Sequence, residues 1–121
     1  MRGIGIDIVE VGRIAQKCQK PAFVKLVFTA EEEAFCMAQG SRFPSFAARF
    51  AAKEAYMKAM GLGWTSDSQF HEIEVYSLES GQPRIRLHGE TRHFFEKEGY
   101  SEILLTLSHT SQTAVAVVLV T

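Results

Sequence analysis

Phe46-Ala47-Ala48-Arg49-Phe50-Ala51-Ala52-Lys53-Glu54-Ala55-Tyr56-Met57-Lys58-Ala59-Met60 is the stretch on which the reading of this chain turns. Alanine, the strongest helix former, recurs through it. Pro44 ahead of it suits a helix start, and Gly61-Leu62-Gly63 behind it suits a stop, so a helix is expected over residues 45–60. Phe50, Glu54, Met57, Lys58 and Gly61 fall close together on the helical wheel. Glu54 and Lys58 stand at i and i+4, the spacing of an ordinary surface ion pair worth about 0.3–0.5 kcal/mol. Phe50 and Met57 on nearly the same face argue that this side is not simply solvated. A carboxylate and an ammonium beside apolar neighbours suit a site that holds metal and phosphate together. Arg49, a little over one turn before Glu54, has two readings: a phosphate or acid partner, or a solvated surface arginine.

Outward toward the N-terminus, residues 3–9 alternate Gly and Ile and then reach Asp7, Ile8 and Val9, a short buried strand. A carboxylate inside an apolar strand is costly unless paired. Asp7 is either a turn-capping aspartate at a strand end or a ligand for a hard cation such as Mg²⁺. The flanking glycines permit close approach of another backbone or a ligand. Residues 10–18 suit a helix that Pro21 interrupts or restarts. Thr29 followed by Glu31, Glu32 and Glu33 suits a capped helix start, with that helix ending near Gly40. Toward the C-terminus, residues 70–78 and 84–88 read as strands joined by a turn, and residues 90–98 as a helix ended by Gly99. Residues 102–108 and 113–120 form a hairpin around His109-Thr110-Ser111-Gln112. The last strand is almost wholly apolar, so both its faces are expected to be covered, one by the core and the other by another subunit. The fold class expected is α+β, a mainly antiparallel sheet packed with a long central helix and shorter helices, in one domain over residues 1–121.

The 121 residues carry a formal net charge of −1, with 46% hydrophobic and 22% charged residues, so no global field draws the chain to nucleic acid or membrane. Two cysteines, Cys18 and Cys36, make neither a disulfide framework nor a zinc pattern, and imply a reducing compartment. No signal peptide or transmembrane stretch is read, and a cytoplasmic protein is expected. Arg13, Lys17 and Lys20 step at i, i+4 and i+7 and share one helix face if the helix continues past Cys18. That stripe is either a solvated face or a docking surface. His71, His88 and His93 lack ligand-like spacing.

Two segments together carry a resemblance. Gly3-Ile4-Gly5-Ile6-Asp7-Ile8-Val9-Glu10-Val11-x-Arg13-Ile14 resembles the first motif of the holo-acyl-carrier-protein synthases. Arg49-Phe50-Ala51-Ala52-Lys53-Glu54-Ala55-x-x-Lys58-Ala59-x-Gly61-x-Gly63 resembles their second. Weaker likenesses lie in Phe28-Thr29-x-x-Glu32, Gly81-x-Pro83 and Leu107-Ser108-His109-Thr110, so the match runs in order through nearly the whole chain. The least typical stretch is residues 64–69.

The resemblance implies the 4′-phosphopantetheinyl transferase fold of the small homotrimeric type, with active sites between subunits. It implies transfer of the 4′-phosphopantetheine group of coenzyme A to a serine of an acyl carrier protein, in support of fatty acid biosynthesis. By position, Asp7 and Glu54 resemble the metal ligands, for Mg²⁺ with Mn²⁺ as a substitute, and Glu54 and Lys58 the catalytic pair. Lys58, Arg49 and His109 resemble contacts to the coenzyme A phosphates, and Gly61 and Pro83 resemble positions lining the nucleotide cleft. The helix bearing Arg13, Lys17 and Lys20 resembles the docking surface for the acidic carrier protein. Two rivals remain at this level: a metal-dependent nuclease of the ribonuclease H type, and a coenzyme A or carrier-protein binding module without turnover.

Overall fold

The computed structural model describes residues 2–62 and 69–121. The chain runs β1 (Gly3–Glu10), α1 (Val11–Lys17), α2 (Pro21–Val27), α3 (Ala30–Met37), α4 (Arg42–Ala59), a 3₁₀ turn (Phe70–Glu72), β2 (Ile73–Ser77), β3 (Pro83–Leu87), α5 (Gly89–Lys97), β4 (Ile103–His109) and β5 (Thr113–Val120). This is the expected α+β arrangement. Its strands form an antiparallel three-stranded sheet in the order β1-β5-β4 and an antiparallel β2-β3 pair.

The long helix α4 packs against the inner face of the larger sheet. Ala114, Ala116, Val118 and Val120 of β5 and Ala51, Ala52 and Ala55 of α4 are wholly buried. The helix is rich in alanine because the two layers come so close. Gly3 and Gly5 set that approach: a methyl group on either would fall on the carbonyl oxygen of Ala59 or Ala55. Alternation along β1 then turns Asp7 to the same inner face, toward α4.

Several boundaries differ from the sequence expectation for identifiable reasons. Helix α4 begins at Arg42 rather than residue 45, because Pro44 lies in the first turn, where a missing N–H costs nothing. Pro21 restarts the chain as a separate helix from its first position. Lys17 therefore ends α1, and Lys20 precedes α2 as its N-cap, so the three cations do not share one continuous helix face. Residues 70–72 are a 3₁₀ turn, not strand, with two nearby carbonyls turned onto a buried lysine.

That lysine, Lys53, is the centre of a polar knot. Its ammonium donates to Glu32 Oε1 at 2.9 Å, to the Phe70 carbonyl at 2.8 Å and to the Ile73 carbonyl at 2.6 Å. Glu32 Oε2 accepts from the Val75 amide at 2.7 Å. The expected cap of α3 is present, with Thr29 Oγ1 accepting from the Glu32 amide and Glu32 Oε1 from the Thr29 amide. One knot thus ties α3, α4 and the start of β2 together.

Among the described residues the β5 strand is fully covered on one face. Its outward Val115, Val117 and Leu119 are half-buried. Beside them Ile4, Ile6 and Ile8 are 59–67% exposed and Leu104 is 47% exposed. No helix among the described residues is long and apolar enough to cross a membrane.

Candidate active site

Strand β1 and helix α4 bring Asp7, Glu54 and Lys58 together. The Lys58 ammonium donates to Asp7 Oδ1 and to the Ile6 carbonyl, each at 3.0 Å. Among the described residues two of its three N–H donors are used, and its side chain is 55% exposed, which leaves the third for solvent or a ligand. Exposure keeps the pair's own contribution to stability below about 1 kcal/mol.

Each carboxylate keeps an oxygen without a partner among the described residues: Asp7 Oδ2 and Glu54 Oε1 are buried and accept no hydrogen bond there. Burial raises the proton affinity of Glu54 above the ordinary range, and the Asp7 charge raises it further. Lys58, Lys17 and Arg13 pull it back down, which places the cations of α1 within electrostatic reach of this centre. Two such oxygens, on carboxylates close enough for the Asp7 charge to act on Glu54, are a donor set that suits a hard cation. Mg²⁺ is held by one or two carboxylates and completes its shell with water and phosphate oxygens. No cluster of three or more His, Cys, Asp or Glu occurs among the described residues, so an all-protein cage of the zinc type is not built there.

Arg13 and His109 line a second feature, an open cleft of about 910 Å³ between α1, the start of α4 and the β4–β5 turn, with Glu10, Ser41 and Phe43. The turn is ordered by Thr110, whose Oγ1 accepts from the amides of Gln112 and Thr113.

The remaining residues singled out in the sequence make no hydrogen bond or ion pair with Asp7 among the described residues. Arg49 is no surface residue: it is 5% exposed, and its guanidinium stacks 4.2 Å over the Phe35 ring. Burial lowers its pKa, and its Nε has no partner among the described residues. Gly61 closes α4 with φ 73°, and the Leu62 amide returns to the Met57 carbonyl at 2.9 Å, a Schellman ending. Pro83 opens β3 and borders a shallow cavity against Leu104, Val117 and Leu119 on the uncovered face of the sheet. Gly63 and Trp64 fall outside the described residues. Lys53, inside the second motif, has no role assigned from sequence. It sits at 46, 50, 53, 57, 60 spacing among Phe46, Phe50, Met57 and Met60, an apolar stripe that marks it as buried.

Comparison with known proteins follows the same lines. A family model described as the 4′-phosphopantetheinyl transferase superfamily matches residues 3–118. The holo-acyl-carrier-protein synthase of Solibacter usitatus is 38% identical over 116 residues, covering 94% of this chain and 93% of the relative. The crystal structure of holo-acyl-carrier-protein synthase from Neisseria meningitidis superposes with a TM-score of 0.90 at 32% identity, covering 100% of this chain and 98% of that one. The Helicobacter pylori enzyme, solved in complex with coenzyme A, superposes at 0.83 with 31% identity, covering 98% and 99% of the two chains. With the fold, the motif residues and the full-length likeness in agreement, this chain belongs to the holo-acyl-carrier-protein synthases of the 4′-phosphopantetheinyl transferase superfamily.

Proposed function

We propose that this protein transfers the 4′-phosphopantetheine group of coenzyme A to a serine of apo acyl carrier protein, giving the holo carrier and 3′,5′-ADP, with Mg²⁺ held by Asp7 and Glu54. The observation that carries the reading is the pair of unpartnered carboxylate oxygens beside an ammonium with a free donor. The serine oxygen forms a bond to the β-phosphorus of coenzyme A as the bond from that phosphorus to the bridging oxygen breaks. The leaving 3′,5′-ADP takes the electron pair. Chemistry of this kind needs positioning and charge neutralisation more than covalent help. Lys58, fixed by the Ile6 carbonyl and Asp7, presents its third N–H to a pyrophosphate oxygen. Glu54, whose burial raises its proton affinity, is suited to take the serine proton. Mg²⁺, or Mn²⁺ on the same oxygen donors, supplies neutralisation of the pyrophosphate charge when bound.

We assign Arg49, His109, Gly61 and Pro83 to the nucleotide half of the site, with neighbouring subunits sharing it in a homotrimer. The exposed apolar face of β1 and β5 supports this, since Pro83 borders that face. A sedimentation-equilibrium mass three times that of one chain is expected, and a monomer at micromolar concentration would refute the shared site. The free thiols Cys18 and Cys36 suit a reducing, cytoplasmic setting.

The deciding experiment is the intact mass of an apo acyl carrier protein after incubation with this protein, coenzyme A and Mg²⁺. Gain of one phosphopantetheine group, lost with EDTA, is the expected result. Coenzyme A binding without product would favour a module lacking turnover.

The acidic carrier protein is taken to dock on α1, where Arg13 and Lys17 make no ion pair among the described residues. Arg13→Glu or Lys17→Glu raises the KM for the carrier by about tenfold and leaves that for coenzyme A unchanged. Equal rises in both constants would count against docking there.

A further inference from the structure

Beyond the turn from α1 to α2 lies a groove that the reaction scheme does not use. It has a volume of about 380 Å³ and runs between α2, the end of α3 and the first turns of α4. Val24 and Phe46 form a buried floor, while Met37 and Phe43 stand 47% and 37% exposed at its mouth. Cys18 closes one end as an uncharged wall, its thiol pushed up to about 11 by burial and by Glu33. The groove is continuous with the Arg13–His109 cleft, because Phe43 lines both.

Its rim is cationic. Lys25 and Arg42 line it, and neither makes an ion pair among the described residues; Glu33 is the one acid among the lining residues. Arg42 is the first residue of α4, where a positive charge opposes the helix dipole. Helix stability does not account for it. An apolar slot flanked by unpaired cations is complementary to an acidic amphipathic surface that offers one apolar side chain between carboxylates. Methionine at the mouth adapts to side chains of different shape.

We propose that this groove seats an apolar side chain of the acidic carrier protein, with Lys25 and Arg42 meeting the flanking carboxylates. Docking then extends from α1 across α2 and α3 to the start of α4. The proposal rests on the carrier-protein reading given above.

The test is steady-state transfer to an apo carrier protein by Met37→Ser, Arg42→Glu and Arg13→Glu, with a thermal melt of each. Met37→Ser and Arg42→Glu are expected to raise the KM for the carrier about five- to tenfold and to leave the KM for coenzyme A unmoved. Arg42→Glu removes a charge opposed to the helix dipole, so its melting temperature does not fall. If Arg13→Glu raises the carrier KM while both groove variants match wild type, the groove proposal is overturned and docking stops at α1. If all three match wild type, the docking reading fails as well. If the wild type transfers nothing to the carrier, the transferase reading fails and takes the groove with it.

Discussion

Asp7→Ala and Glu54→Ala each lower the rate of phosphopantetheine transfer by about 10²–10³-fold at saturating Mg²⁺. The expectation follows from the two buried oxygens that nothing among the described residues satisfies. A folded protein keeps an unpaired buried carboxylate oxygen at a cost, and a site for a hard cation and phosphate explains why both persist. A readout independent of turnover separates this reading from a merely structural one. Mg²⁺ raises the melting temperature of the wild type by mass action and leaves that of Asp7→Ala where it was. The metal-free protein shows the converse at Glu54. Its carboxyl holds its proton more tightly in the folded state than the ordinary value of 4.5, because of burial and then the Asp7 charge. Between that ordinary value and the raised one, the folded state binds more protons than the unfolded chain. Stability therefore falls as pH rises through this window. Glu54→Gln removes the fall and melts higher than wild type at neutral pH without Mg²⁺. Near-normal turnover in both alanine variants, with no Mg²⁺-dependent shift in melting, would remove the metal assignment.

How far this site was legible in the sequence depends on how local each signal is. The reading of α4 rests on helical periodicity and alanine content, and Glu54 and Lys58 share a face by spacing alone. Asp7 follows from strand alternation, and Gly3 and Gly5 mark where α4 touches the strand. The early start of α4 was hidden because Pro44 is compatible with more than one position in a first turn. The break between Lys17 and Lys20 depends on how the chain turns before Pro21, which side-chain pattern does not encode. Arg49 was left open because its partner, the Phe35 ring, comes from a different helix. The uncovered outer face of β1 and β5 had only half a signal: an apolar last strand states that both faces want cover, not which molecule supplies it.

Lys53 is the residue for which pattern and chemistry pull apart, and it supports the largest effect expected on stability. It occupies a core position in an apolar stripe, yet it is an ammonium with 0% exposure. Burial lowers its pKa, and the Glu32 carboxylate opposes that shift by charge and hydrogen bond. Lys53→Met keeps the side-chain volume and removes the charge. It leaves the Glu32 carboxylate, only 1% exposed, without its counter-charge, and takes the ammonium away from the Ile73 carbonyl and from the Phe70 carbonyl, which keeps the Ile73 amide. Removing one partner of a buried pair costs about 3–5 kcal/mol, much of the stability of a domain this size. The second half of the test is Lys53→Met combined with Glu32→Gln. The amide oxygen can still accept from the Val75 or Thr29 amide, and neither substituted side chain carries a charge. The double variant should recover about 1–3 kcal/mol of the loss, read as the urea midpoint at constant slope. If Lys53→Met alone costs less than about 1 kcal/mol, the knot is not what holds β2 and its preceding turn onto α4. If the double variant is as unstable as the single, the cost lies in the hydrogen bonds that the Phe70 and Ile73 carbonyls lose to the ammonium rather than in the stranded Glu32 charge. Either result would move the explanation from electrostatics to backbone satisfaction at the turn that leads into β2.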